Sequence, residues 1–260
     1  MPEPPTTARR VRVEQVMGTA VGVDLRDPGV PEPALDGFFG WLRQVDARFS
    51  TYRAGSEISR IGRGELAPGS AHPDVREVLE ICEEVRRCSG GLFAAWRPDG
   101  GLDPSAVVKG WSVERGARLL EDAGARNFCI NAGGDVLARG EPEPGRRWRV
   151  GIRHPEIADR VAAVLGVRDL AVATSGTYER GAHILDPRSG LPACGLLSLT
   201  VVGPSLTLAD AYSTAAFVMG RDGASWIAGI PGYEAFAVTA EHRAVWTEGC
   251  RSLRVQDMGT

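Results

Sequence analysis

The chain has 260 residues, 43% hydrophobic and 24% charged, with a formal net charge of -3. That length leaves room for a substantial core in one large domain or two small ones, and the slightly acidic balance gives no reason to expect nucleic acid, which would favour a basic face. Five cysteines (82, 88, 129, 194 and 250), an odd number with no CxxC pair, argue against a disulfide framework or a structural zinc site and fit a reducing cytoplasm.

Residues 1–10 are proline-rich and polar and read as a disordered tail, without the apolar run of a signal peptide. No later stretch approaches the length of a membrane span, so the expected location is cytoplasmic. Residues 11–25 alternate and read as one long strand, in which Gly18 and Gly22 permit close backbone approach. Leu35, Phe38, Phe39, Leu42 and Val45 recur at helical spacing and predict a helix over 34–49. Just beyond it, Tyr52 is either a ring that stacks on a planar ligand or a half-buried core tyrosine. Ser56 to Arg60 reads as a short turn of helix, and 73–88 as an amphipathic helix ended by Gly90-Gly91.

After a loop rich in proline, glycine and aspartate, a helix is predicted over 109–123, with Gly124 as its stop. Asp103 and Lys109 flank its entrance, where a bound anion or polar ring would meet both a base and free amides; a plain loop-to-helix cap is the alternative. Residues 127–131 and 136–139 read as two strands joined by Ala132-Gly133-Gly134-Asp135, a hairpin turn with glycines at positive φ. One more strand is predicted over 148–153.

The stretch 171–220 changes period three times. A strand over 170–174 gives way to turn signals at Ser175-Gly176 and Glu179-Arg180-Gly181, an extended piece over 182–185, and a turn at Asp186-Pro187-Arg188-Ser189-Gly190. A strand over 196–202 stops at Gly203-Pro204. Thr207 as cap and Asp210 three residues on then predict a helix that runs to Met219. Asp210 and Thr214, four apart, share one face of its first turns, and two oxygens at a helix entrance suit a hard cation such as Mg²⁺. From spacing alone the plainer reading, a capping acid and an ordinary buried threonine, stands beside it. A short helix and strands over 235–239 and 244–247 close the chain.

Several chemistries are absent. Neither GxGxxG nor GxxxxGK[ST] occurs, nor HExxH, nor GxSxG. Of the four histidines only His183 lies among turn residues that look chemical, and a lone histidine is commonly structural.

Taken in order, Met17-Gly18-Thr19, Phe49-Ser50-Thr51-Tyr52, Gly90-Gly91-Leu92-Phe93, Asp103-Pro104-Ser105 with Lys109-Gly110-Trp111, Asn131-Ala132-Gly133-Gly134-Asp135, Thr174-Ser175-Gly176, His183-Ile184 with Asp186-Pro187-Arg188, and Ala209-Asp210-Ala211 with Thr214 resemble the FAD:protein FMN transferases, the ApbE-like flavin transferases. The resemblance implies a single domain over 11–260 with an α+β fold, mixed sheets and flanking helices related to the T-fold. It implies an FAD site lined by Met17, Tyr52, Gly91, Leu92, Phe93, Asp103, Lys109 and Ile184. A metal, Mg²⁺, would be held by Ala106, Asp210 and Thr214, and His183 and Asp210 would be catalytic. The implied reaction moves FMN from FAD to a Ser or Thr hydroxyl of an acceptor protein and releases AMP. FAD hydrolysis to FMN and AMP, or FAD binding without turnover, are the alternatives. One departure stands out: the family's aspartate, proline and threonine after the Gly-Gly-x-Phe segment are here Ala94-Ala95-Trp96.

Overall fold

The alternating stretch at the start is a hairpin, not one long strand. The computed structural model, which describes residues 9–97, 100–177 and 184–255, pairs β1 (Arg10–Val16) antiparallel with β2 (Thr19–Leu25), Val16 facing Thr19 across a two-residue turn. Met17 and Gly18 hold φ of 55° and 73°, the pair of positive values that a type I′ turn needs. Asparagine or glycine usually fills the first position, so a methionine there hides the reversal from a reading of the sequence. The tail also ends sooner than expected, because Arg10 already begins β1.

Helices α1 (Glu32–Phe49), α2 (Glu57–Gly62) and α3 (Pro73–Cys88) follow, each turning its apolar stripe inward. Helix α4 (Ser105–Asp122) starts four residues before the predicted position. The β-branched pair Val107-Val108 masks its first turn, and Asp103 Oδ1 accepts from Ser105 N at 3.1 Å as it begins. Lys109 therefore lies in the second turn rather than at the entrance.

Strands β3 (Phe128–Ala132) and β4 (Asp135–Arg139) form the expected hairpin, with Gly133 and Gly134 at φ of 58° and 95°. Next come β5 (Trp148–Arg153), β6 (Val161–Val167), β7 (Ala171–Gly176), β8 (Leu196–Gly203), α5 (Leu206–Met219), α6 (Gly223–Ala228), β9 (Glu234–Thr239), β10 (Ala244–Trp246) and α7 (Glu248–Ser252). Of these, β6 and α7 were not expected: Ala162-Ala163 dilute the β-branched pattern of the one, and the other is little more than a turn long.

Eight strands make one sheet in the order β1-β2-β3-β4-β7-β8-β9-β10, each neighbouring pair antiparallel, while β5 and β6 pair separately. On one face, Val23, Ile130, Leu137, Ala173 and Leu199 join Phe38, Leu120 and Phe217 of α1, α4 and α5 in the main core. On the other, Val136, Val172, Val202 and Phe236 meet Trp148, Val150 and Leu165 of the two-stranded sheet. Central strands covered on both faces become continuously apolar, which is why β4, β7 and β8 lack the alternation of β1. The class is α+β with flanking helices, as expected.

Helix α5 is capped by Ser205, not Thr207: Ser205 Oγ accepts from Leu208 N at 3.3 Å. The acid at its N-terminus comes from the neighbouring helix. Glu114 Oε2 of α4 accepts from Ser205 Oγ at 2.8 Å, Thr207 N at 3.0 Å and Thr207 Oγ1 at 2.6 Å. A carboxylate on that positive helix end gains from the dipole as well as from charge-assisted bonds. Glu114→Gln keeps the shape and removes the charge, so we expect a loss of about 1–2 kcal/mol, read from urea unfolding with an unchanged slope. A variant as stable as the parent would show that the interhelical cap contributes nothing.

Candidate functional site

With Ser205 as cap, Asp210 is the fifth residue of α5 and not part of its first turn. Its side chain is buried, with 5% of the residue exposed, which removes the capping alternative and places it within the helix and not at its entrance. Asp210 Oδ2 accepts from Gly110 N of α4 at 3.2 Å. In a regular helix that amide faces the Ala106 carbonyl, so the carboxylate reaches in beside the first turn of α4. Asp135, at the start of β4 and 1% exposed, comes from the other side.

One ammonium serves both acids. Lys109 Nζ lies 2.7 Å from Asp135 Oδ2 and 3.8 Å from Asp210 Oδ1. Asp135 Oδ1 accepts from Thr174 N of β7 at 3.1 Å, whereas its Oδ2 is buried and accepts no well-formed hydrogen bond, meeting the lysine only as an ion pair. Burial pushes the Asp210 carboxyl up to about 8, with the neighbouring Asp135 adding to the rise and Lys109 and the Gly110 amide opposing it. Two buried carboxyl groups thus share one ammonium, and the proton that Asp210 holds relieves the repulsion between them.

Hydroxyls extend this polar floor along α5 and β7. Ser175 Oγ lies 2.8 Å from Ser213 Oγ and 3.3 Å from Thr214 Oγ1, and Ser213 Oγ donates to the Asp210 carbonyl at 2.8 Å. Thr214 Oγ1, one turn above Asp210, donates to the same carbonyl at 3.4 Å. Among the described residues no three His, Cys, Asp or Glu side chains gather as a metal cluster, so a cation here would need a mixed set of oxygens.

Lys109, Ser175, Asp210 and Thr214 line a cavity of about 620 Å³. Of the residues expected at the site, Met17, Tyr52, Leu92, Phe93, Asp103, Ala106, Lys109, Ile184, Asp210 and Thr214 all line it. Phe93 is buried and forms part of the floor, while Tyr52 stands 95% exposed, so it is not a core tyrosine. Met17 is held at the turn by its positive φ, and its Sδ accepts from Ser112 Oγ at 3.5 Å. Gly91 does not line the cavity: at φ 84° it closes the end of α3, its N donating to Arg86 O at 2.7 Å. His183 lies outside the described residues, as do Arg180 and Gly181.

Asp135 and Ser175 are the functional candidates that the sequence reading missed. Asp135 stands in a hairpin motif, and Ser175 in a turn signal. Only the sheet order, which sets β4 beside β7 and both beneath α5, brings them to Lys109 and Thr214.

Comparison with known proteins bears on the family and the fold. A model of the ApbE family matches residues 17–96 and 94–237. The FAD:protein FMN transferase of Haemophilus influenzae is 35% identical over 138 residues, 49% of this chain and 40% of that protein. That of Vibrio cholerae is 29% identical over 214 residues, 78% of this chain and 61% of that protein. The chain thus spans less than two thirds of the length of these curated relatives. The solved structure of the flavin transferase ApbE from Vibrio cholerae superposes with a TM-score of 0.83 at 21% identity, covering 94% of this chain and 99% of that one.

Proposed function

Because the chain belongs to the ApbE family, we propose that it transfers FMN from FAD to a Ser or Thr hydroxyl of an acceptor protein and releases AMP. The observation that carries this reading is the meeting of Lys109, Asp210, Thr214 and the start of α4 on the wall of one cavity large enough for a nucleotide. In the proposed reaction the acceptor oxygen bonds to the FMN phosphorus and the bond from that phosphorus to the AMP oxygen breaks. The hydroxyl proton passes to a general base, for which His183 is the candidate implied by the resemblance.

Lys109, which lines the cavity together with Arg97, is a cation that can meet diphosphate oxygens, and its ion pair with Asp135 fixes its direction. The backbone turn at Met17-Gly18 and the turn at Gly133-Gly134 form one rim, close enough that a Cβ on Gly133 would lie 2.5 Å from Thr19 Oγ1. The oxygens present fit a hard divalent ion: the Asp210 carboxyl, the Thr214 hydroxyl and the Ala106 carbonyl, with Asp135 close behind on Lys109. Mg²⁺ bound there would supply neutralisation of charge on the phosphate oxygens. Asp210, Thr214 and Ala106 are its proposed ligands.

The test is to mix the chain with FAD, Mg²⁺ and a Ser/Thr-bearing acceptor, and to measure AMP together with the mass of the acceptor. We expect one FMN added per acceptor and AMP in equal amount. Chelation of the metal is expected to reduce the rate at least about 100-fold, with recovery on adding Mg²⁺ back. FMN and AMP formed at an undiminished rate without any acceptor would assign a pyrophosphatase instead, and FAD bound without AMP would assign a carrier.

A further inference from the structure

Residues 95–97 and 101–103 lie antiparallel to each other. Asp103 N donates to Ala95 O at 2.8 Å, Arg97 N donates to Gly101 O at 2.8 Å, and Trp96 bridges antiparallel to Leu102. Phe93, Ala95 and Leu102 turn into the core that α1, α2, α3 and α4 share. Alternation along an extended segment sends the next side chain the opposite way. Trp96 accordingly lines the cavity, and 50% of it remains exposed.

A large ring anchored by its backbone yet left half in water is apolar area without a partner. At the wall of a cavity its natural occupant is another flat ring, since the indole face offers dispersion and quadrupole contact at little conformational cost. The second of these segments ends at Asp103, next to the start of α4, so a ligand whose charged centre meets Lys109 has its ring portion within the cavity that Trp96 lines.

We propose that Trp96 is a stacking platform for one of the two planar rings of the dinucleotide, and so helps to set specificity for FAD over other diphosphates. The inference rests on the reading of the cavity as an FAD site. It concerns the segment in which this chain departs from the pattern of the proteins it resembles.

The experiment compares the full chain with Trp96→Leu and Trp96→Phe, measuring binding of FAD, FMN, ADP and inorganic pyrophosphate as separate probes. Trp96→Leu is expected to weaken FAD binding roughly 5- to 100-fold, with Trp96→Phe recovering most of the loss. FMN or ADP, whichever carries the stacked ring, is expected to weaken by a similar factor, while pyrophosphate binding stays unchanged. Equal FAD affinity in parent and Trp96→Leu would overturn the proposal. So would a loss shared by pyrophosphate, which would mean a distorted site and not a missing ring contact. A parent chain that binds no FAD at all would sink the functional reading and the stacking with it, whereas FAD binding insensitive to Trp96 would sink the stacking alone.

Discussion

Asp210→Asn is expected to cut transferase turnover at least about 100-fold while making the metal-free protein less sensitive to alkaline pH. The substitution keeps an oxygen for the Gly110 N–H, now 3.2 Å from Oδ2, and removes the charge that would hold a cation. The stability effect has a definite sign. Burial, then Asp135, raise the Asp210 carboxyl to about 8 against Lys109 and the Gly110 amide, whereas an unfolded aspartate titrates near ~4. The folded chain therefore keeps a proton that the unfolded chain has released, and this contribution is complete below about pH 4 and lost as pH rises through about 8. Urea unfolding in chelator at about pH 5 and about pH 9 should show the parent losing stability across that window and Asp210→Asn losing less by at least about 1 kcal/mol. A variant with the parent's slope would mean that Asp210 is ionised throughout. One with the parent's turnover would remove Asp210 from the chemistry.

Long periodic elements were readable because the hydrophobic stripe of a helix is set locally. Leu35, Phe38, Phe39 and Leu42 place α1 to within two residues at its start, and α3 was placed without error. What failed was whatever a neighbour decides. The turn at Met17 depends on β1 and β2 pairing with each other, and its backbone conformation is one that methionine rarely shows. The cap of α5 was assigned to Thr207 because the spacing to Asp210 matches a capping box, but Glu114 supplies that acid from another helix, which frees Asp210 to turn toward α4. At the site, side chains on the matched motifs were legible by resemblance and nearly all line the cavity. The pairing of Lys109 with Asp135 was not, since 26 positions separate them and only strand order joins them.

Gly110→Ala is expected to reduce both stability and FAD binding, although alanine is the better helix former by about 1 kcal/mol. A Cβ at this position would lie 2.5 Å from Leu206 O, 2.8 Å from Leu206 C and 3.0 Å from Thr207 Cα. All three are backbone atoms at the start of α5, so no side chain can rotate aside, and the helices must separate. Overpacking costs about 1–3 kcal/mol, and a clash with backbone alone belongs in the upper half of that range, about 2–3 kcal/mol, which against the propensity gain of about 1 kcal/mol leaves a net loss of about 1–2 kcal/mol. Separation also moves the Gly110 amide off Asp210 Oδ2 and the Ala106 turn away from Thr214, so the affinity for FAD with Mg²⁺ should fall further than stability alone explains. Gly37→Ala in α1 is the control, because nothing lies within 4 Å of its added Cβ. There the same chemical change should stabilise by about 0.5–1 kcal/mol and leave binding untouched. If thermal or urea unfolding ranks Gly110→Ala with Gly37→Ala, then α4 and α5 are not in backbone contact, and a cavity wall assembled from both helices cannot hold its groups in the arrangement from which the function was inferred.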